Sequence, residues 1–101
     1  MTEPLVFRGE AGTVTLTAAA LTRLVAQAVA EVDGARLRRP KRGLEVRHGD
    51  GRAAVELELS GRFGASLPDL ARAVQERVAD ALAQTTGLEV ERVDVEIAEV
   101  A

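Results

Sequence analysis

Residues 61–97, GRFGASLPDLARAVQERVADALAQTTGLEVERVDVEI, decide the fold. Leu67, Leu70, Ala71, Val74, Val78, Ala81 and Leu82 recur at the three-and-four spacing that places side chains on one helix stripe. Ser66 opens an S-x-x-D pattern with Asp69, so a hydroxyl can accept from an early amide while a carboxylate meets the positive end of the helix dipole. Pro68 falls in the first turn, where its missing donor costs little, and Gly87 supplies the left-handed stop. Beyond it Val93, Val95 and Ile97 alternate with Asp94 and Glu96, the period-two pattern of a strand with one dry face. Leu88 and Val90 are out of phase with that set, which predicts a bulge or irregularity near Glu91-Arg92. Gly61-Arg62-Phe63-Gly64 reads as the strand-to-helix connection, with Phe63 tucked on the core edge.

Working outward, Ala53 to Ser60 alternates Val55, Leu57 and Leu59 with Ala54, Glu56, Glu58 and Ser60, and Leu44 to His48 pairs with it across Gly49-Asp50-Gly51 as a hairpin. Leu21, Leu24, Val25, Ala28, Val29 and Val32 stripe a first helix that Thr17 caps and Asp33-Gly34 ends. Thr13 to Thr17 suits a short strand buried on one face, and residues 1–11, without a clear period, read as a loosely ordered lead-in. The order is β-α-(β)-β-β-α-β, the bracketed strand being an edge strand or loop within the basic stretch. This is an α+β, two-layer fold: a small mixed or antiparallel sheet with two amphipathic helices on one face, and Glu45, Arg47, Glu56, Glu58, Asp94 and Glu96 on the other, open face. One domain spans residues 1–101, with an ordered core over about 12–98, because 101 residues suffice for one core and not two.

Aliphatic residues must build that core, since hydrophobics are 47% of the chain and aromatics only 2%. The absence of cysteine removes disulfides, thiolate metal sites and cysteine nucleophiles. No apolar run reaches the roughly 18 residues of a membrane span and MTEPLVFRGE lacks signal-peptide character, so the reading is cytoplasmic, without direct membrane insertion. The net charge of −3 weighs against a dedicated nucleic-acid binder. Charge is nonetheless segregated. Arg36, Arg38, Arg39, Lys41 and Arg42 crowd one stretch, and Glu89, Glu91, Asp94, Glu96 and Glu99 the C-terminal one, which predicts poles of opposite sign.

Glu56 and Glu58 share a strand face, but acid–base catalysis needs carboxylates in unequal, partly desolvated environments, which an open face does not offer. Their spacing with Asp94 and Glu96 matches no metal-binding loop. His48, the only histidine, is expected exposed beside the hairpin turn, without a serine nucleophile at hand. The sequence therefore predicts no catalytic residue, metal or cofactor. Its candidate partner-binding residues are Arg36, Arg38, Arg39, Lys41 and Arg42 on one side and Glu56, Glu58, Asp94 and Glu96 on the other, with head-to-tail self-association as the simplest match between them. The alternative is an RNA-binding module using the 36–42 segment and Arg62, which the absence of Tyr and Trp supports poorly.

G-T-V-T-L-T from Gly12, A-x-x-E-V-D-G over 28–34, G-L-E-V over 43–46, Phe63-Gly64, L-P-D-L-A-R-x-V-Q-E-R-V over 67–78, T-G-L-E-V over 86–90 and V-D-V over 93–95 together resemble the bacterial alkaline-shock (Asp/Gls-type) envelope stress response family. Phe63 and Ala35 depart from the tyrosine and valine usual there. The resemblance implies a noncatalytic interaction or scaffold role in envelope and alkaline stress. It also implies self-association, and a place at the inner face of the cell membrane held by a separate anchor protein.

Overall fold

Asp50 and Gly51 both adopt positive φ, 54° and 75°, the pairing that lets a two-residue turn follow the twist of its strands. The computed structural model, which describes residues 2–38 and 43–101, forms the expected hairpin on this turn. Strand β4 (Leu44–Gly49) pairs antiparallel with β5 (Arg52–Gly61), Gly49 opposite Arg52 and Leu44 opposite Leu57. The remaining elements are β1 (Leu5–Gly9), β2 (Gly12–Leu16), α1 (Ala18–Ala30), β3 (Ala35–Leu37), α2 (Leu67–Thr86) and β6 (Glu89–Val100).

Strand β5 is the spine. Along one edge lie β4 and β3 end to end, β3 taking Leu59 to Gly61 in antiparallel register. They meet at Glu58, whose carbonyl accepts from Arg38 N–H at 2.9 Å and whose N–H donates to Gly43 O at 2.8 Å. The other edge pairs in parallel with β6, as a strand–helix–strand crossover through α2 permits. The short strand bracketed in the sequence reading therefore exists as β3.

Register slips between Ala53 and Ala54, where Val90 and Arg92 are the successive partners and Glu91 is left over, as the phase break predicts. A second slip leaves Ala98 between Ile97, opposite Leu59, and Glu99, opposite Ser60. The two bulges keep Val90, Val93, Val95, Ile97 and Val100 on one side of the sheet although their spacing is irregular. That side joins Val46, Val55, Leu57 and Leu59 to Leu21, Val25, Ala28 and Val29 of α1 and Val74, Val78 and Leu82 of α2 in one buried cluster. Both helices thus cover the same face, and the fold class stands.

Thr17 Oγ1 accepts from Ala20 N–H at 3.1 Å, capping α1. That helix ends at Ala30, before Asp33-Gly34: the Glu31 and Val32 amides bond to Ala28 O and Val29 O, three residues back, which tightens the last turn. Gly87, φ 74°, ends α2 and donates to Ala83 O. The anticipated capping box does not form. The Ser66 side chain makes no cap bond; instead the Asp69 carboxylate bonds back to Ser66 and also to Arg72.

Arg72 first, and Ser66 after it, hold the Asp69 carboxyl below its ordinary value. A carboxyl depressed in the folded chain adds stability above its unfolded value, about 3.9, and loses it as pH falls through the folded value. Asp69→Asn should therefore be less stable than the native chain at pH 7, and the gap in urea midpoint should close under strong acid. A gap unchanged down to pH 2 would refute this.

Three sequence expectations need correction. Residues 5–9 form β1, paired with β2 in a separate two-stranded sheet, Phe7 opposite Val14. A single stretch without periodicity gives no sign of this, because the pairing is supplied by β2. Nor is β2 buried: Val14 is 60% exposed, since the hairpin does not join the main sheet. Phe63 is 80% exposed rather than tucked in, because its N–H is bound to Ala101 O and Gly64, φ 89°, turns the chain there.

Candidate interaction surface

Strand alternation sends every second residue of β5 away from the helices, and the register sets their neighbours in rows across the uncovered face. Glu45, Glu56 and Asp94 form one row, and Glu58 and Glu96 the next, with Arg38 beside Glu58. Arg47, Ala54 and Arg92 lie on one side of these carboxylates, and Arg36, Ser60 and Glu99 on the other. All four acidic candidates, Glu56, Glu58, Asp94 and Glu96, therefore share the central patch.

The two basic candidates within the described residues, Arg36 and Arg38, stand among the carboxylates rather than apart from them. Arg36 shares this face by its pairing with Ser60, and Arg38 approaches both Glu58 and Glu99 at 4.0 Å. The reason is tertiary: β3 continues the line of β4 along β5, so Arg36, and Arg38 just after the strand, fall on the face that carries the carboxylates. Arg39, Lys41 and Arg42 fall outside the described residues. Arg62, the remaining cation of the RNA reading, bonds Asp33 at 2.6 Å with its guanidinium against Gly34.

Most of the patch is locally compensated. Arg47 Nε donates to Glu45 Oε1 at 3.2 Å and also approaches Glu56 at 4.0 Å, while Arg92 reaches Asp94 at 3.1 Å. The hydrogen bond to Glu45, and behind it the charges of Glu45 and Glu56, raise the already high Arg47 pKa. Glu96 has no ion pair among the described residues. Ser60 is buried and donates to Glu99 Oε1 at 3.0 Å, anchoring the carboxylate that the second bulge brings onto this face.

The sequence reading missed Arg92 and Glu99 as members of the patch. The signal for Glu99 was present, because Val100 breaks phase with Ile97 just as Val90 does with Val93. A depression over Glu45, Glu56, Glu58, Asp94 and Glu96 opens to solvent, and the Glu56 side chain is 49% exposed. Carboxylates this hydrated lack the unequal, partly desolvated environments that acid–base catalysis uses. Among the described residues no group of three His, Cys, Asp or Glu side chains could hold a metal ion.

His48 is half-buried, not exposed as anticipated. It points to the helix side with Val46, and its Nε2–H donates to Glu3 O at 2.9 Å. Thr2 Oγ1 accepts from Val46 N–H at 3.0 Å, so the N-terminal segment is tied to β4 at two points. No helix among the described residues is long and apolar enough to cross a membrane.

Comparison with known proteins gives one match. The model of the alkaline-shock protein 23 family, described as having a cell envelope-related function, matches residues 7–101. No curated protein and no solved structure matches.

Proposed function

The chain belongs to the alkaline-shock protein 23 family, and from that premise we propose that it is a non-catalytic interaction or scaffold module of the envelope stress response. It works near the inner face of the membrane through the open face of its sheet. Its partners on this reading are proteins, a membrane anchor protein and further copies of the chain among them. The observation that carries the reading is the asymmetry of the sheet: both helices seal one face, while the other presents Glu45, Glu56, Glu58, Asp94 and Glu96 uncovered. A surface of this size and charge suits complementary protein contact, where charge sets encounter rate and choice of partner. Of the cations in the RNA reading, Arg38 and Arg62 already face carboxylates, which favours the protein-contact reading at those two positions.

The test is retention of the envelope fraction of the source cell on immobilised chain. Unaltered chain should retain a protein component that elutes as salt rises, and the variant carrying Glu56→Lys, Glu58→Lys, Asp94→Lys and Glu96→Lys should not. Equal retention by both would sink the proposal. So would retained RNA whose affinity falls with salt and vanishes on reversal of Arg36 and Arg38.

A further inference from the structure

The chain has only two aromatic side chains, and neither lies in the core. Phe7 sits on the β1–β2 hairpin, across from Val14, and the two are 37% and 60% exposed. Leu5 and Leu16, the next pair on that side, pack against the core, so a continuous apolar strip leaves the body of the protein and ends uncovered. Val6 and Arg8 occupy the other side. A two-stranded hairpin is marginally stable alone in water, and the outer edge of β1 has no strand beside it among the described residues.

The main sheet has a matching vacancy. Strand β6 pairs with β5 on one edge only. Near its start Glu91 bulges and Gln75 Nε2 occupies Val93 O at 3.0 Å, but Asp94 to Val100 has no second strand among the described residues. Val95 and Ile97 point to the helix side of this segment, Asp94 and Glu96 to the open side.

We infer that the β1 edge of one copy adds to β6, over residues 94–97, of a second copy. Strand periodicity makes two matches at once. Phe7 and Leu5 fall beside Val95 and Ile97, and Arg8 falls beside Asp94 and Glu96. The occupant is another copy because the hairpin cannot reach its own β6: Thr2 and Glu3 tie its base to β4, on the far side of β5. Charge also rejects pairing of two β6 edges, which would bring carboxylate against carboxylate. The contact joins two different surfaces, so each added copy presents a free hairpin or a free edge, and growth does not stop at a dimer. This inference rests on the interaction-module reading and gives it a surface for self-association.

Sedimentation velocity of the purified chain over a concentration series, at low salt, tests it. The native chain should form species beyond a dimer as concentration rises. Phe7→Ser, at a partly exposed position and with an unchanged circular dichroism spectrum required as the check on folding, should weaken association about tenfold by removing the apolar anchor. Arg8→Glu should weaken it by about fivefold, the upper range for an exposed ion pair. Adding Glu96→Arg, at a carboxylate with no ion pair of its own among the described residues, should restore much of that loss. A chain that stays monomeric, a closed dimer, no effect of Phe7→Ser, or an Arg8→Glu/Glu96→Arg double variant no better than Arg8→Glu would each overturn the inference. If the native chain associates while Phe7→Ser and Arg8→Glu leave association unchanged, this contact falls and the open-face reading stands. If the envelope retention test fails while the charge swap restores assembly, the reverse holds.

Discussion

Replacing Leu59 by Ala is expected to lower the unfolding free energy by about 2–5 kcal/mol, the range for deleting a large aliphatic side chain from a packed core. Leu59 is fully buried near the centre of the sheet. Leu37 of β3 lies opposite it on one edge and Ile97 of β6 on the other. Strands hold both neighbours in place, so the cavity cannot close by a simple side-chain shift, and the cost should fall toward the upper part of that range. Total stability of a domain this size is about 5–15 kcal/mol, so the loss would be a large fraction of it. Urea denaturation should show a lower midpoint with an unchanged slope. A loss below about 1 kcal/mol would mean that the strand does not pack as described.

Gly61→Ala should cost about 1–3 kcal/mol through overpacking, although alanine is the smaller of common changes and the residue ends a strand. Its backbone has no positive φ, so conformational strain is not the cause. An added Cβ would stand 2.9 Å from Leu67 Cδ2, 3.3 Å from Leu70 Cδ2 and 3.5 Å from Ile97 Cγ2. The nearest is a terminal methyl of half-buried Leu67, which can turn aside, but Leu70 behind it is buried and must repack at the start of α2, which sets the cost. Gly49→Ala is the control, because nothing lies within 4 Å of its added Cβ and its φ is not positive. Thermal denaturation of the two variants should separate them clearly; equal melting temperatures would refute the close approach of α2 to β5.

The second half of the chain was the more legible half, for an identifiable reason. From Leu44 to Val95 each element carries its own boundary signals: a two-residue turn at Asp50-Gly51, a proline at the start of α2, a glycine at its end. Even the bulge at Glu91 was readable, because a buried face tolerates no slip without showing it in the spacing of Val90 and Val93. The buried Thr86 was not readable. It is polar, and it is tolerated because its hydroxyl donates to Leu82 O at 2.6 Å and accepts from Leu88 N–H.

The first half lacked such signals. Val6, Phe7 and Arg8 show no alternation that distinguishes strand from coil, since β1 gains its form from pairing with β2 and its side chains are mostly exposed. Phe63 was misplaced for a related reason: aromatic character argues for burial on average, but a backbone bond to Ala101 and a glycine turn direct this ring outward. The acidic patch was legible as to face and not as to neighbours. Alternation alone puts Glu56, Glu58, Asp94 and Glu96 on one side.

By itself the sequence determined the kinds of elements, the side of each that turns inward, the aliphatic core and the kinship of the chain, because these depend on periodicity and on local steric rules. Tertiary structure alone decided that β3 prolongs β4, that Arg36 and Arg38 stand among the carboxylates, and that a hairpin bearing Phe7 extends uncovered. Those facts depend on which strand lies beside which. That choice is made by long-range pairing and burial summed over the whole chain, and no local window of residues contains it.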